Sequence, residues 1–195
     1  MTEKTYHHGD LRGALVRAGR AILAREGLAA LSLRACAREA GVSHAAPQHH
    51  FRNLAELQSA IAASGFDDFV EALDIGASTA ANPREALIAM GQAYVRFSGR
   101  YPALYRMMFG VEAPNVKTDG LMQAMDRAWM QLHGAVSAMT GRTETAASDA
   151  MLVWSVVHGH AMLEAAHCIP GSVDTRSQLV HALNALTDGL TGGRR

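Results

Sequence analysis

Two groups of histidines stand close enough together to suggest chemistry. His44, His49 and His50 lie in "GVSHAAPQHHF" (41–51), and His158 and His160 in "VVHGHAML" (156–163). Clustered imidazoles bind metal ions, move protons or hydrogen-bond a nucleic acid. Spacing narrows the choice. His158 and His160 stand two residues apart in a helical pattern, on different faces, so they cannot hold one metal together. His49 and His50 point about 100° apart on a helix, and no acidic or Cys ligand stands among the first three. No metal is expected. Nor does the chain carry a Gly-rich phosphate loop, a nucleophile elbow or usefully spaced paired carboxylates. The expectation is no catalytic residue and no cofactor. What remains for the first group is polar contact with a partner, with His50, beside Phe51, a candidate to pack inward.

Two helices must position that group. Asp10 is a good N-cap, and Leu11, Leu15, Ala18 and Ile22 recur on one helical face. Arg12, Arg17, Arg20 and Arg25 fall largely off it, and Gly27 suits a helix end. Ser32 caps a second helix with Leu33, Cys36, Ala37 and Ala40 as its apolar face, ended by Gly41. Val42 plugs the corner and Ser43 caps a third helix. Two short helices about a Gly-centred turn form a helix-turn-helix, whose second helix enters the DNA major groove. With Ser43 as the cap, Pro47 is the fourth helical residue and forfeits only the first hydrogen bond. It fixes where the third helix starts rather than breaking it, while pushing Ala46 away from α geometry.

The charge distribution is compatible with such a partner. The net charge is zero, but residues 1–60 hold eight Lys and Arg against five Asp and Glu, and five of the ten histidines. The positive excess gathers where an electrostatic partner would dock.

"LSLRACAREAGVSHAAPQHHFRN" resembles the helix-turn-helix of the TetR family of bacterial transcriptional regulators. Ser32, Ala40, Gly41, Val42, Ser43, Ala45, Ala46 and Phe51 match that pattern, and "YHHGDLR" is similar to one subgroup. The detailed likeness covers residues 6 to about 60. It implies contacts to double-stranded DNA from Ser32, Arg34, Ser43, His44, Ala46, Gln48, His49 and Arg52. Two positions depart. Gln48 stands where the family usually has a phosphate-binding Tyr, and Leu54 where a Lys often opens the next helix. Gln48 can still donate to phosphate or pair with adenine. Leu54 cannot replace a lysine's charge, and one lost phosphate neutralisation flattens the salt dependence by ~0.9 in slope.

Beyond Leu54 the pattern stays helical, with no credible strand and no internal repeat. A helix from Leu54 to about Leu73 joins the two parts without a flexible linker. Further helices are expected over Arg84–Ser98, about Leu121–Met139, Glu144–His167 and Thr175–Leu190, with a short one in "GRYPALYRMMFG". The fold class is all-α: a three-helix helix-turn-helix domain (6–53), then a ligand-binding and dimerisation domain (54–195).

Nine of the ten methionines lie between Met90 and Met162, among Tyr94, Phe97, Tyr105, Trp129 and Trp154. Met suits surfaces that accept varied apolar partners. A pocket lined by Met90, Tyr94, Tyr105, Met108, Trp129, Trp154, His158 and Met162 would take a small, mainly apolar effector, with His158 or a tyrosine as polar handle. Plain core packing is the other reading of the same residues. "WSVVHG" (154–159) is similar to a Trp-His-Gly signature of one TetR C-terminal subgroup. Gly159 in mid-helix costs up to ~1 kcal/mol, which close helix packing or pocket space would explain. The resemblance also implies a homodimer paired through the last two long helices.

Apolar residues make up 49% of the chain and charged ones 18%, which supports a real core. Cys36 and Cys168 are too few for a disulfide scaffold. No signal pattern opens the chain, and no apolar run reaches the ~18 residues of a membrane span. The expected protein is a cytoplasmic, ligand-responsive repressor, released from an inverted-repeat operator by a small molecule. The alternative is a DNA-independent small-molecule-binding protein or a helical enzyme on the same scaffold, which Gln48 and Leu54 keep open.

Overall fold

The computed structural model describes residues 10–110 and 112–192. Residues 6–9 of "YHHGDLR" lie outside them. Among the described residues eight α-helices follow in chain order: α1 Leu11–Glu26, α2 Leu33–Glu39, α3 Leu54–Ala77, α4 Pro83–Arg100, α5 Pro102–Phe109, α6 Asp119–Thr140, α7 Ala146–Ala165 and α8 Thr175–Gly192. Short 3-10 turns occupy Leu28–Ala30 and Ala46–His49, and there is no strand among the described residues. The chain is all-α, with a helix-turn-helix region followed by the continuous helix α3.

The helix starts follow from their caps. Asp10 accepts the Gly13 N–H at 2.9 Å, Ser32 the Ala35 N–H at 3.1 Å, and Asn82 the Glu85 N–H at 2.9 Å. Each satisfies one donor that a helix start leaves without a partner. Gly27 and Gly41 take the left-handed φ of 82° and 70° at the ends of α1 and α2, where a Cβ would be strained.

Packing divides the chain into two compact units, 1–65 with 103–124, and 66–102 with 125–195. The first half of α3, to Gly65, and α5 from Ala103 onward belong with the N-terminal helices. In the first unit, Leu15, Ala18 and Ile22 of α1, Cys36 and Ala37 of α2, Phe51, and Leu57 and Ile61 of α3 are buried. Gly19 lets α1 and α3 approach: a Cβ there would lie 2.5 Å from Ile61 Cδ1. In the second unit α4 packs on α7 and α8, and α7 on α8. A Cβ on Gly91 would lie 2.7 Å from Leu183 Cδ1, so α4 and α8 also meet at a glycine.

One helix forms differently from the sequence expectation. Ser43 does not cap an α-helix; the segment after the turn is the single 3-10 turn Ala46–His49, with Ala45 at its cap position. Pro47, near its start, has no N–H and disfavours α geometry at Ala46. Hydrogen bonds here close over three residues instead, Ala46 N–H to Ser43 C=O at 3.1 Å and Gln48 N–H to Ala45 C=O at 3.2 Å. The proline shortens the segment as well as fixing its start.

Candidate nucleic-acid interface and effector site

The N-terminal site is a turn with a buried anchor and exposed tips. Val42 N–H bonds Ala37 C=O at 2.9 Å and ties the corner to α2. Pro47 and Phe51 are buried, and the Phe51 N–H bonds the Pro47 C=O at 2.9 Å. The Arg12 guanidinium lies over the Phe51 ring, 5.1 Å from its centre. Around this anchor Ser43, His44, Gln48, His49 and His50 are exposed and Ala46 is half-buried. His50 therefore faces outward, not into the core: the apolar slot is filled by its neighbours Pro47 and Phe51.

The cations differ in how free they are. Arg17 pairs with Asp10 at 3.2 Å, and Arg25 with Glu39 at 3.0 Å and Glu26 at 2.8 Å. The Arg25 guanidinium holds the Glu39 carboxyl below its usual range. Arg34 and Arg38 on α2 are exposed, and neither has an ion-pair partner among the described residues. Arg52 follows the turn and pairs with Glu56 at 2.6 Å. Ser32 spends a lone pair on its cap, yet its hydroxyl proton can still reach outward. Glu56 is a residue the sequence reading missed, although the spacings Arg52-x-x-x-Glu56 and Asn53-x-x-Glu56 both signalled it.

The second site lies among the helices of the second unit. Tyr94 Oη is 2.8 Å from His158 Nδ1, and Trp154 Nε1–H donates to Tyr94 Oη at 3.3 Å. Phe69 meets the Tyr94 and Phe97 rings edge-on, at 5.0 and 5.3 Å between centres. Burial pushes the His158 imidazole down from its usual range, so the neutral ring is favoured. Of the eight residues expected around an effector, Tyr94, Trp154 and His158 come into direct contact. Met90 is buried on α4 and Trp129 half-buried on α6, within the same unit. Tyr105 and Met108 are buried in the other unit, on α5. Met162 is 43% exposed, beside Leu163 on an open face of α7.

Among the described residues, no three His, Cys, Asp or Glu side chains gather to hold a metal ion. No helix there is long and apolar enough to cross a membrane.

Comparison with known proteins gives the two regions of the chain one family. Residues 15–61 match the family model for bacterial regulatory proteins of the tetR family. Residues 87–186 match the tetracyclin repressor-like C-terminal domain. The chain belongs to the TetR family. It is similar to a helix-turn-helix-type transcriptional regulator of Mycobacterium tuberculosis, 28% identical over 158 residues, which span 78% of this chain and 69% of that one. A solved structure of a Rhodococcus protein of unknown function is 31% identical, with a TM-score of 0.83 over 97% of this chain and all of the other. A TetR from Streptomyces coelicolor shares the fold at a TM-score of 0.72 and 19% identity, over 94% of this chain and 99% of the other. TetR proteins are transcriptional regulators, not enzymes; they bind DNA and dimerise, and this chain is one of them.

Proposed function

We propose that this TetR regulator is a ligand-responsive repressor, acting in the cytoplasm as a homodimer on an inverted-repeat operator. In this reading residues 6–53 bind DNA, and 54–195 bind the effector and dimerise. Each subunit presents Ser43 to His50 to one major groove, flanked by Ser32, Arg34 and Arg52. The supporting observation is the division of labour in the turn: Pro47 and Phe51 are buried while His44, Gln48, His49 and His50 are exposed. Side chains that need not hold the fold are free to touch bases and phosphates.

Dimerisation through α7 and α8 draws support from α7. Met151, Leu152, Met162 and Leu163 are all more than 40% exposed on it, a concentration of bare apolar surface that a partner would cover. In α8, Leu179 and Leu183 are buried within the subunit, so α7 has the more open apolar face. The effector would be small and mainly apolar, held near Tyr94, Trp154 and His158, with Met90 and Trp129 as further wall candidates. Tyr105 and Met108 belong to the other unit and Met162 to the open face of α7, so the proposed site centres on the Tyr94 cluster. Effector binding would favour a DNA-free state; a coupling of ~1–3 kcal/mol suffices for a useful switch.

The test is a salt-dependent gel shift on the DNA upstream of the protein's own gene, followed by footprinting. Protection of two half-sites about 34–36 Å apart, centre to centre, is expected. Absence of any sequence-preferring complex would favour the DNA-independent binding protein instead.

A further inference from the structure

Glu56 stands in the first turn of α3, four residues after Arg52, and carries the wrong charge for a phosphate backbone. Its geometry gives it another task. The Glu56 Oε2 accepts the Arg52 backbone N–H at 2.9 Å, and Oε1 accepts the Arg52 Nε–H at 2.6 Å. Its own N–H donates to Asn53 Oδ1 at 3.0 Å. The carboxylate is thus fixed at both ends of the same residue, and those bonds hold it below the usual carboxylate range. Its side chain is only 14% exposed, whereas that of Arg52 is 88% exposed. The clip takes Nε and leaves Nη1 and Nη2, which have no hydrogen-bond partner among the described residues.

We infer that Glu56 is a positioning residue for DNA binding: it orders the Arg52 guanidinium so that its two Nη groups face a phosphate. The inference rests on the reading of Arg52 as a phosphate contact. A free arginine loses rotamer freedom when it docks; one held through Nε and its own backbone has lost part of that freedom beforehand. Arg rather than Lys suits the task, because its rigid planar fork gives Nε–H to the carboxylate and keeps a separate Nη pair for a phosphate, whereas an ammonium's three donors radiate from one atom on a flexible stem. The arrangement also explains how an acid is tolerated at this surface. Bound to Arg52 and close to Arg12, its charge is offset before DNA arrives.

The sign of one substitution separates positioning from bulk electrostatics. By Coulomb's law alone, Glu56→Gln removes a repulsive charge and should tighten DNA binding. By positioning, it should weaken binding. The probe is the duplex that the unaltered protein selects from a random-sequence pool, titrated across a salt series. Glu56→Gln is expected to weaken binding about fivefold for each bound head, the scale set by ordering one long side chain. Arg52→Ala should weaken binding and flatten the salt slope by ~0.9 per head. In the Arg52→Ala background Glu56→Gln should no longer weaken binding. Arg52→Lys keeps the charge but not the fork, and Glu56→Gln should not weaken that variant either. Arg52→Lys by itself should weaken binding with the salt slope kept, and it serves as the second arm should Glu56→Gln fold poorly, which circular dichroism reads directly.

Unchanged or tighter binding by Glu56→Gln, with Arg52→Ala still harmful, overturns the positioning role while the phosphate contact stands. Full affinity and an unchanged slope in Arg52→Ala overturn both. Equal weakening by Glu56→Gln with and without Arg52 makes Glu56 a structural cap of α3 only, and also overturns the inference.

Discussion

Trp154 and Tyr94 lie 60 residues apart in sequence, on α7 and α4, yet the indole N–H of one donates to the hydroxyl of the other at 3.3 Å. The same hydroxyl reaches His158 Nδ1 at 2.8 Å, so polar atoms of an indole, a phenol and an imidazole are joined in one chain. Such a chain can give a polar handle to an otherwise apolar region.

Its first consequence is a pH dependence of stability. Burial lowers the folded-state pKa of His158 below its usual 6.5. As pH falls through the unfolded value of ~6.5, the unfolded chain takes up this proton before the folded one does. Stability is therefore full above that value and declines as pH drops toward the folded pKa. His158→Asn, which keeps a hydrogen-bonding group near Nδ1, should shrink the fall in urea midpoint between pH 7.5 and pH 5.5. An identical fall in parent and variant would assign it to other groups.

The effector reading makes a separate prediction. For a compound found by thermal shift to stabilise the DNA-free protein, about 2.7 kcal/mol is expected at a hundredfold excess over its Kd. Trp154→Ala or His158→Ala should abolish that response while operator affinity stays within twofold of the parent, about 0.4 kcal/mol. If both variants respond like the parent, the effector binds elsewhere and the methionines are only core.

Much of the first unit was legible in the sequence because its signals are local. Asp10 and Ser32 each bond a backbone N–H three residues on, and Gly27 and Gly41 sit where the chain turns left-handed. The segment after Ser43 was misjudged because two local rules competed: a capping serine argues for a helix, and Pro47 limits it. The outward turn of His50 was hidden because Pro47 and Phe51 fill the slot it would need. In the second unit Tyr94, Trp154 and His158 were recognisable as types, but their meeting depends on how α4 packs against α7. Residue spacing within one helix carries no record of that.

DNA affinity should respond to α3. Leu54 is half-buried at the first position of that helix. If this end faces the phosphate backbone, Leu54→Lys should tighten binding and steepen the salt slope by ~0.9 per head. Gel shifts at several salt concentrations would detect it, and an unchanged slope would remove this position from the backbone contacts.

Self-association can be tested on the open face of α7. Leu152 and Leu163 are 46% and 52% exposed, so a charge at either should disturb the subunit's own fold little. Leu152→Glu with Leu163→Glu should convert a dimer into a monomer in sedimentation at micromolar concentration, with the helical circular dichroism kept. A variant that still sediments as the parent places the interface on another surface.

The two cysteines should differ sharply in reactivity. Cys36 is fully buried and its thiol is pushed up to about 11, chiefly by burial, whereas Cys168 is an exposed free thiol just past α7. The thiolate is the reactive form. One thiol per chain should react promptly with a disulfide reagent at pH 8, and the second only on unfolding. Peptide mapping that finds Cys36 labelled first would contradict the packing of α2.

The turn at Ala46–His49 bears on how such a regulator could acquire new targets. What holds the turn, Pro47 and Phe51, flanks what faces outward, Gln48, His49 and His50. Exchanging the outward residues leaves the buried anchor untouched, so sequence preference can drift with little loss of folding. On the proposed reading, random libraries at His44, Gln48 and His49 would sample operator specificities on one unchanged frame. If this turn reads the operator as proposed, a lineage could redirect such a regulator to a new promoter through a few surface substitutions, while the helices of the second unit are inherited intact.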